Sequence, residues 1–452
     1  MKRLLLAGAL LSLTLAAAYG YGVTRREANY RQLLLDGDAA VAREDLTAAL
    51  EAFSAAVGVK PDSMAAYLKR GEVYRRRNDL DAALRDLRRA ADLDPTAPRP
   101  RELLGDVSYA MGRFDRAAER YQEFLALDDS SHRLYYKLAL AQYRAAQPAA
   151  CISNIRRALE IEAQSAEAHY VLGLCLRDAQ KPREALIALQ RSVKLAPALL
   201  QAREELADIY GRLGRTEDRA AVLNALWALD PEPSRQVALG LAHAALGDYT
   251  SAIQTLSSAA RSFPDYSYTY VALGRVWLDI AQTREDRVAL EKALEALHSA
   301  ARVDDNSETL MLLGRALLQA SDPQAAEDVL LQATANLPAE PMAFVYLANA
   351  AEQLGHTTTA RDALVQHYAI DAGGSQPRRA SRFAVRIGDL SMRLRDYPAA
   401  ALWYQRALSA GHDEAAIAAK LADARAAIKR SSKPLTSRAS DPHGPANRRP
   451  RS

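Results

Sequence analysis

Residues 68–95 read LKRGEVYRRRNDLDAALRDLRRAADLDP, and the spacing of their small and apolar letters, rather than their charge, decides the fold. Gly71 opens the skeleton, Ala83 stands beyond the polar break RRRND, and Leu87, Ala90 and Pro95 follow. The skeleton returns one period on as Gly105, Ala117, Tyr121, Phe124 and Asp129, and one period back as Gly37, Ala49, Phe53, Ala56 and Pro61. The period is that of one helical hairpin, roughly 34 residues. The opening small residue recurs as Gly37, Gly71, Gly105, Ala139, Gly173, Ala207, Gly240, Gly274, Gly314, Ala348 and Gly388, eleven units in all. The interval holds almost constant except from Gly274 to Gly314 and from Ala348 to Gly388, which carry insertions near positions 280–292 and 373–381.

Apolar residues recur at steps of three and four on both sides of a polar break such as RRRND, MGRFD or LGDYT, so each unit reads as two helices and a turn. Glycine in the break suits a helix end because it tolerates the left-handed conformation. The second small residue, Ala83 or Ala117 for instance, falls on the second helix, and facing small residues are expected to let the pair approach closely. Pro61, Pro95, Pro197, Pro231, Pro264 and Pro338 end second helices, since proline cannot extend the hydrogen-bond ladder.

With Gly71, Tyr74, Ala83, Leu87, Ala90 and Pro95 in that order, the unit resembles the tetratricopeptide repeat, and the resemblance covers residues 30–414. It implies an all-α fold, a right-handed superhelical solenoid of about eleven helix-turn-helix repeats. In the family the first helices line a concave groove that binds peptides or partner proteins. The pattern departs at Arg219 and Leu226 in the sixth unit and at His367 in the tenth. The lysine and asparagine clamp of chaperone-binding members is not expected, because Asn349 is preceded one turn earlier by Val345 rather than a lysine.

Charge argues against nucleic acid. The 59 Lys and Arg nearly balance 55 Asp and Glu, and the stretch 431–452 alone, with five basic residues and one Asp, accounts for the net +4. Arg75, Arg76 and Arg77 are accompanied by Asp79, Asp81 and Asp86, which is a solvated face of mixed sign rather than a basic footprint.

The chain opens MKRLLLAGALLSLTLAAAYGYG: two cations, an apolar run from Leu4 to Ala18, and small residues at 16–18. Residues 1–23 therefore read as a secretory signal peptide or, since the run extends to Val23, as an N-terminal membrane anchor. In both versions the cations at the start place the repeats outside the cytoplasm, in the periplasm or on its membrane face if the source is bacterial. Residues 415–430 keep helical periodicity and are expected to cap the last hairpin. Residues 431–452 lose it and read as a disordered basic tail.

Catalytic signatures are missing. None of the eight histidines pairs at one-turn spacing, and neither a glycine-rich phosphate loop nor a GxSxG elbow occurs. No metal, cofactor or enzymatic activity is expected, although a site assembled from distant residues is the alternative class. Cys151 and Cys175, the only cysteines, lie on the second helix of one unit and the first helix of the next. Antiparallel packing brings them close, either as a disulfide in an oxidising compartment or as two buried thiols.

The residues three before, one after and four after the small residue share one face of each first helix. In the second to fifth units this face carries Leu68, Glu72, Arg75, Glu102, Asp106, Tyr109, Tyr136, Leu140, Tyr143, Tyr170, Leu174 and Arg177, flanked by Arg99, Arg133 and Lys137. Tyrosine among charges suits a recognition surface, and these residues are the expected partner-binding groove. Farther along, the same face turns apolar with Val237, Leu241, Val271, Leu278, Met311, Leu318, Met342 and Val345, which reads either as a second exposed strip or as residues the solenoid covers. The expected function is a non-enzymatic, exported or membrane-attached scaffold for proteins or peptides. The alternative is an assembly subunit of an envelope secretion or polysaccharide apparatus.

Overall fold

The computed structural model describes residues 2–372, 377–409 and 414–431, with the side chains of 2–14, 16–18, 371, 372, 377–382 and 414 outside the description. The chain divides into two compact units, Met1–Leu229 and Asp230–Ser452. The first holds α1 (Lys2–Ala42), α2 (Leu46–Val59), α3 (Met64–Arg76), α4 (Leu80–Leu93), α5 (Pro98–Ala110), α6 (Phe114–Leu125), α7 (His132–Arg144), α8 (Pro148–Ile161), α9 (Ala166–Asp178), α10 (Pro182–Leu195), α11 (Leu200–Arg212) and α12 (Thr216–Leu229). The second holds α13 (Pro233–Ala245), α14 (Tyr249–Ser262), α15 (Ser267–Arg284), α16 (Arg287–Val303), α17 (Ser307–Gln319), α18 (Pro323–Ala335), α19 (Pro341–Leu354), α20 (Thr357–Ala372), α21 (Pro377–Arg393), α22 (Tyr397–Ser409) and α23 (Glu414–Ser431). Within each unit every helix packs on the next in the chain, which makes eleven hairpins and one further helix among the described residues.

Each hairpin turns on one residue with positive φ: Glu44, Asn78, Gly112, Ala146, Gln180, Gly214, Gly247, Glu285, Ser321, Gly355 and Arg395. The residue after it sends its N–H back over the helix end, as from Asp79 to the Tyr74 carbonyl (2.9 Å) and from Asp322 to Leu317 (3.0 Å). That hydrogen bond closes a left-handed helix cap. Seven of the eleven positions are not glycine, so the place in the hairpin, more than the residue type, sets the turn. In some hairpins an aspartate then starts the second helix: the Asp45 and Asp248 carboxylates accept from Ala48 and Ser251 N–H at 3.0 Å.

The small residue of the first helix makes room for a large one. A Cβ at Gly105 would lie 2.3 Å from the Tyr121 ring, and one at Gly37 2.4 Å from Phe53. The expected pairing of small with small is thereby corrected: glycine faces the ring or leucine one turn after the second small residue, while Ala83 and Ala117 are buried beside it.

Two of the three departures from the repeat pattern are absorbed locally, while the buried Nε of the third, Arg219, has no hydrogen-bond partner among the described residues. Leu226 is buried, and His367, also buried, hydrogen-bonds the Pro341 carbonyl at 2.9 Å. The first insertion adds about a turn to both helices of its hairpin, α15 with 18 residues and α16 with 17, instead of forming a loop. The second begins at positions 373–376, which lie outside the described residues. At the end α23 lays Ile417, Leu421 and Ala424 into the core against α22. The tail beyond Ser431 lies outside the described residues.

At the start α1 runs without a break from Lys2 into the first hairpin, where Tyr30 and Ala40 are buried. Among the described residues no helix is long and apolar enough to cross a membrane, and most side chains of the apolar run at 4–18 fall outside the description.

Candidate functional site

The face of interest is built by the first helices α3, α5, α7 and α9, which repetition sets side by side in parallel. Its charges are spent largely on one another. Glu102, 2% exposed, accepts from Arg99 (2.7 Å) and Lys137 (2.9 Å) and lies 2.7 Å from the Arg133 guanidinium as an ion pair. Lys137 also donates to Asp106 at 2.8 Å, and the Tyr121 hydroxyl donates to the same carboxylate at 2.8 Å. Arg99 reaches back to Glu72 at 3.4 Å. Burial alone would raise the Glu102 pKa, but the hydrogen bonds and charges of Lys137 and Arg99 outweigh it and hold the carboxyl below the usual range.

Farther along, Arg177 donates to Glu205 on α11 (2.5 Å) and to the Tyr143 hydroxyl (3.2 Å). Tyr109 packs its ring edge-on to Phe114 at 5.2 Å. Tyr136, Leu140 and Tyr170 are half-buried, as is Arg75, whose buried Nε has no partner among the described residues. Burial, then the charge of Glu167, pushes the Tyr136 phenol pKa up.

Two residues expected to face a partner do not. Leu174, 5% exposed, is part of the core between hairpins, and Glu102 is the covered centre of the ion network. Lys137 is a structural bridge rather than a free flanking cation. The apolar strip is covered in part: Val237, Val271, Leu278 and Val345 are buried, because α13, α15, α17 and α19 pack directly on one another, while Leu241, Met311 and Leu318 are half-buried and Met342 is exposed.

A cleft of about 240 Å³ opens beside Tyr136, lined by His132, Arg133, Glu162, Ser165 and Glu167. Sequence reasoning missed His132, Glu162 and Glu167 because they sit where helices begin and end, beyond the reach of the three and four residue spacing. The signal available was that Arg133 and Glu167 lie one period apart, at matching starts of adjacent first helices. In the second unit a cavity of about 440 Å³ is lined by Arg315, Tyr346, Asn349, Glu352 and Arg386, with Arg386 donating to Glu352 and Asn349 at 2.7 Å each. Cys151 and Cys175 are joined as a disulfide between α8 and α9, with Cα atoms 6.2 Å apart and both residues buried. Among the described residues no group of three or more His, Cys, Asp or Glu side chains could hold a metal ion.

Hairpins of two antiparallel helices, repeated at one period and stacked only on their neighbours, define an α-helical solenoid. The sequence profile of the tetratricopeptide repeat matches residues 34–98, 103–150, 136–199, 204–267, 278–341 and 311–377. The chain belongs to the tetratricopeptide repeat family, whose repeats support a protein-binding scaffold. No curated protein matches the sequence.

Among solved structures it is similar to MamA, with 22% identity over 38% of this chain and 94% of that one, and a TM-score of 0.36. It is also similar to YrrB, with 21% identity, 42% and 98% covered, and a TM-score of 0.38. A tetratricopeptide repeat protein of Parabacteroides merdae shares 17% identity over 55% and 99%, with a TM-score of 0.41. The family assignment rests on the sequence profile and the hairpin geometry, not on these likenesses.

Proposed function

We propose that the protein is an exported or membrane-attached scaffold that holds an extended segment of a partner protein on the α3–α9 face. The observation that carries this reading is the set of phenols on successive first helices. Tyr109, Tyr136 and Tyr170 are half-buried, and their hydroxyls make no hydrogen bond among the described residues. A ring held in place with its hydroxyl open gives contact area at small entropic cost and a donor for a passing carbonyl. The surrounding ions, Arg75 apart, are paired already and fix the shape of the face rather than the sign of its ligand. Location outside the cytoplasm is supported by the Cys151–Cys175 bond, which an oxidising compartment preserves, and by the apolar start of α1.

The test is replacement of Tyr109, Tyr136 and Tyr170 together by Ala, with partners captured by cross-linking in the native cell and identified by mass spectrometry. Aromatic anchors each contribute about 2 kcal/mol by truncation, so capture should fall by more than tenfold while helical content stays at the wild-type level. Unchanged capture by a folded triple variant removes the face as the binding site.

A further inference from the structure

The helix α1 joins two parts of the chain that differ in chemistry. Residues 4–23 are the apolar run, and from Tyr30 onward the same helix builds the first hairpin. A helical run of that length, at about 1.5 Å per residue, extends about 30 Å, the depth of a bilayer's hydrocarbon core. Of the side chains described there, Leu15, Tyr19, Tyr21 and Val23 are 62%, 77%, 68% and 51% exposed, so no other described part of the chain covers them. Tyr19 and Tyr21, followed by Arg25 and Arg26, follow the order in which side chains meet at a membrane–water boundary.

At that boundary lies a cavity of about 560 Å³, lined by Val23, Arg26, Tyr30, Lys60, Asp62 and Arg89 among others. Along the helix, Arg26 lies about 4.5 Å and Tyr30 about 10.5 Å beyond Val23, which is headgroup depth if Val23 ends the apolar span. The cavity holds three cations, Arg26, Lys60 and Arg89, against Glu27 and Asp62. Arg26 Nε donates to the Val59 carbonyl at 2.8 Å, which fixes the guanidinium at the rim. Lys60 donates to Glu27 at 3.2 Å and lies 5.0 Å over the Tyr30 ring, and Arg31 also bonds Glu27, so this carboxylate is answered within the protein. Arg89 has neither an ion pair nor a hydrogen bond among the described residues. It comes from α4, the second helix of the next hairpin, and only the stacking of the first two hairpins brings it to α1.

We propose that this cavity takes the phosphate of a membrane phospholipid headgroup, with the guanidiniums of Arg26 and Arg89 as donors and the acyl chains running along the Val23 side. Planar guanidiniums match phosphate oxygens in pairs of hydrogen bonds. The inference rests on the membrane-attached form of the reading above. It gives α1 a second task, since the bound headgroup would fix the angle at which the first hairpin leaves the bilayer.

The experiment uses the full chain expressed in its native membrane. A carbonate wash of that membrane should leave the protein in the pellet; release into the supernatant removes the anchor and this inference with it. Protein reconstituted in mixed phosphatidylcholine and phosphatidylglycerol vesicles is then re-extracted, washed in detergent, and its retained lipid measured by mass spectrometry. Arg89→Gln should retain about fivefold less phosphatidylglycerol, one cation's share near a surface, while Arg88→Gln, on the same helix but outside the cavity, should match wild type. Equal retention in Arg89→Gln, with the pellet result intact, overturns the headgroup site alone. Displacement of the lipid by inorganic phosphate at the same concentration as by soluble glycerophosphoglycerol would mark a free-phosphate site and overturn the lipid assignment.

Discussion

Glu102 and Val271 occupy the same place in their hairpins, three residues before the small residue of a first helix, and both are 2% exposed. In the first unit the covered position is a carboxylate held by Arg99, Arg133 and Lys137; in the second it is a valine, with Val237 and the half-buried Met311 at the matching places of the neighbouring hairpins. The places that supply the three cations around Glu102 are filled around Val271 by Tyr268, Glu308 and Leu312. The same place is half-buried at Tyr136 and Tyr170, so both the depth and the means of filling it are properties of the local set of residues rather than of the repeat. A charge is tolerated there only where its neighbours supply the opposite sign.

The sharpest way to break this comparison is Val271→Glu. The carboxylate would meet Leu312 and a Glu308 that already holds Arg275, instead of Arg133 and Lys137, and a loss of about 4 kcal/mol is expected for a buried charge without its own cation. Chemical denaturation of the full chain should show a transition assigned to the second unit moving to lower denaturant, and a shift no larger than that of Val271→Ala would sink the argument.

Glu102→Gln comes next, at about 2 kcal/mol, since its three partners are part-exposed and can turn toward water. The acid dependence carries the sign. A carboxyl whose folded pKa is depressed below 4.5 adds stability that is fully present above 4.5 and disappears as the pH falls through the folded value. Wild type should lose stability below that pH more steeply than Glu102→Gln, and parallel curves would show that the network contributes nothing.

Smallest is Arg120→Ala, which removes an exposed bridge to Glu123 at 2.7 Å and should change stability by less than about 0.5 kcal/mol. A larger loss would mean that surface pairs, and not only the covered network, hold the first unit together.

The hairpins, their number and the register of their small residues were legible in the sequence, because Gly71, Ala83, Leu87 and their equivalents repeat at one period. What spacing could not give was depth. Helical periodicity names the face on which Tyr136, Leu174 and Glu102 lie, but the approach of α9 to α7 decides that Leu174 is covered and Tyr136 half open. The turn residue was hidden for a different reason. Gln180 and Arg395 adopt the left-handed conformation through the hydrogen bond that follows them, which leaves no mark on residue type. Arg89 at the flank of α1 was equally out of reach, since nothing local to either segment connects them.

The Cys151–Cys175 bond spans the seam between the fourth and fifth hairpins, and its meaning changes when the chain is pulled instead of heated. A stack held only by neighbours unzips under tension one hairpin at a time, each release lengthening the tether. Between these two cysteines the covalent link carries the tension itself and keeps the 24-residue separation out of the extension. The oxidised protein therefore acts as a spring with one clamped coil, and a reductant would lengthen it under the same load by releasing the segment that carries Tyr170.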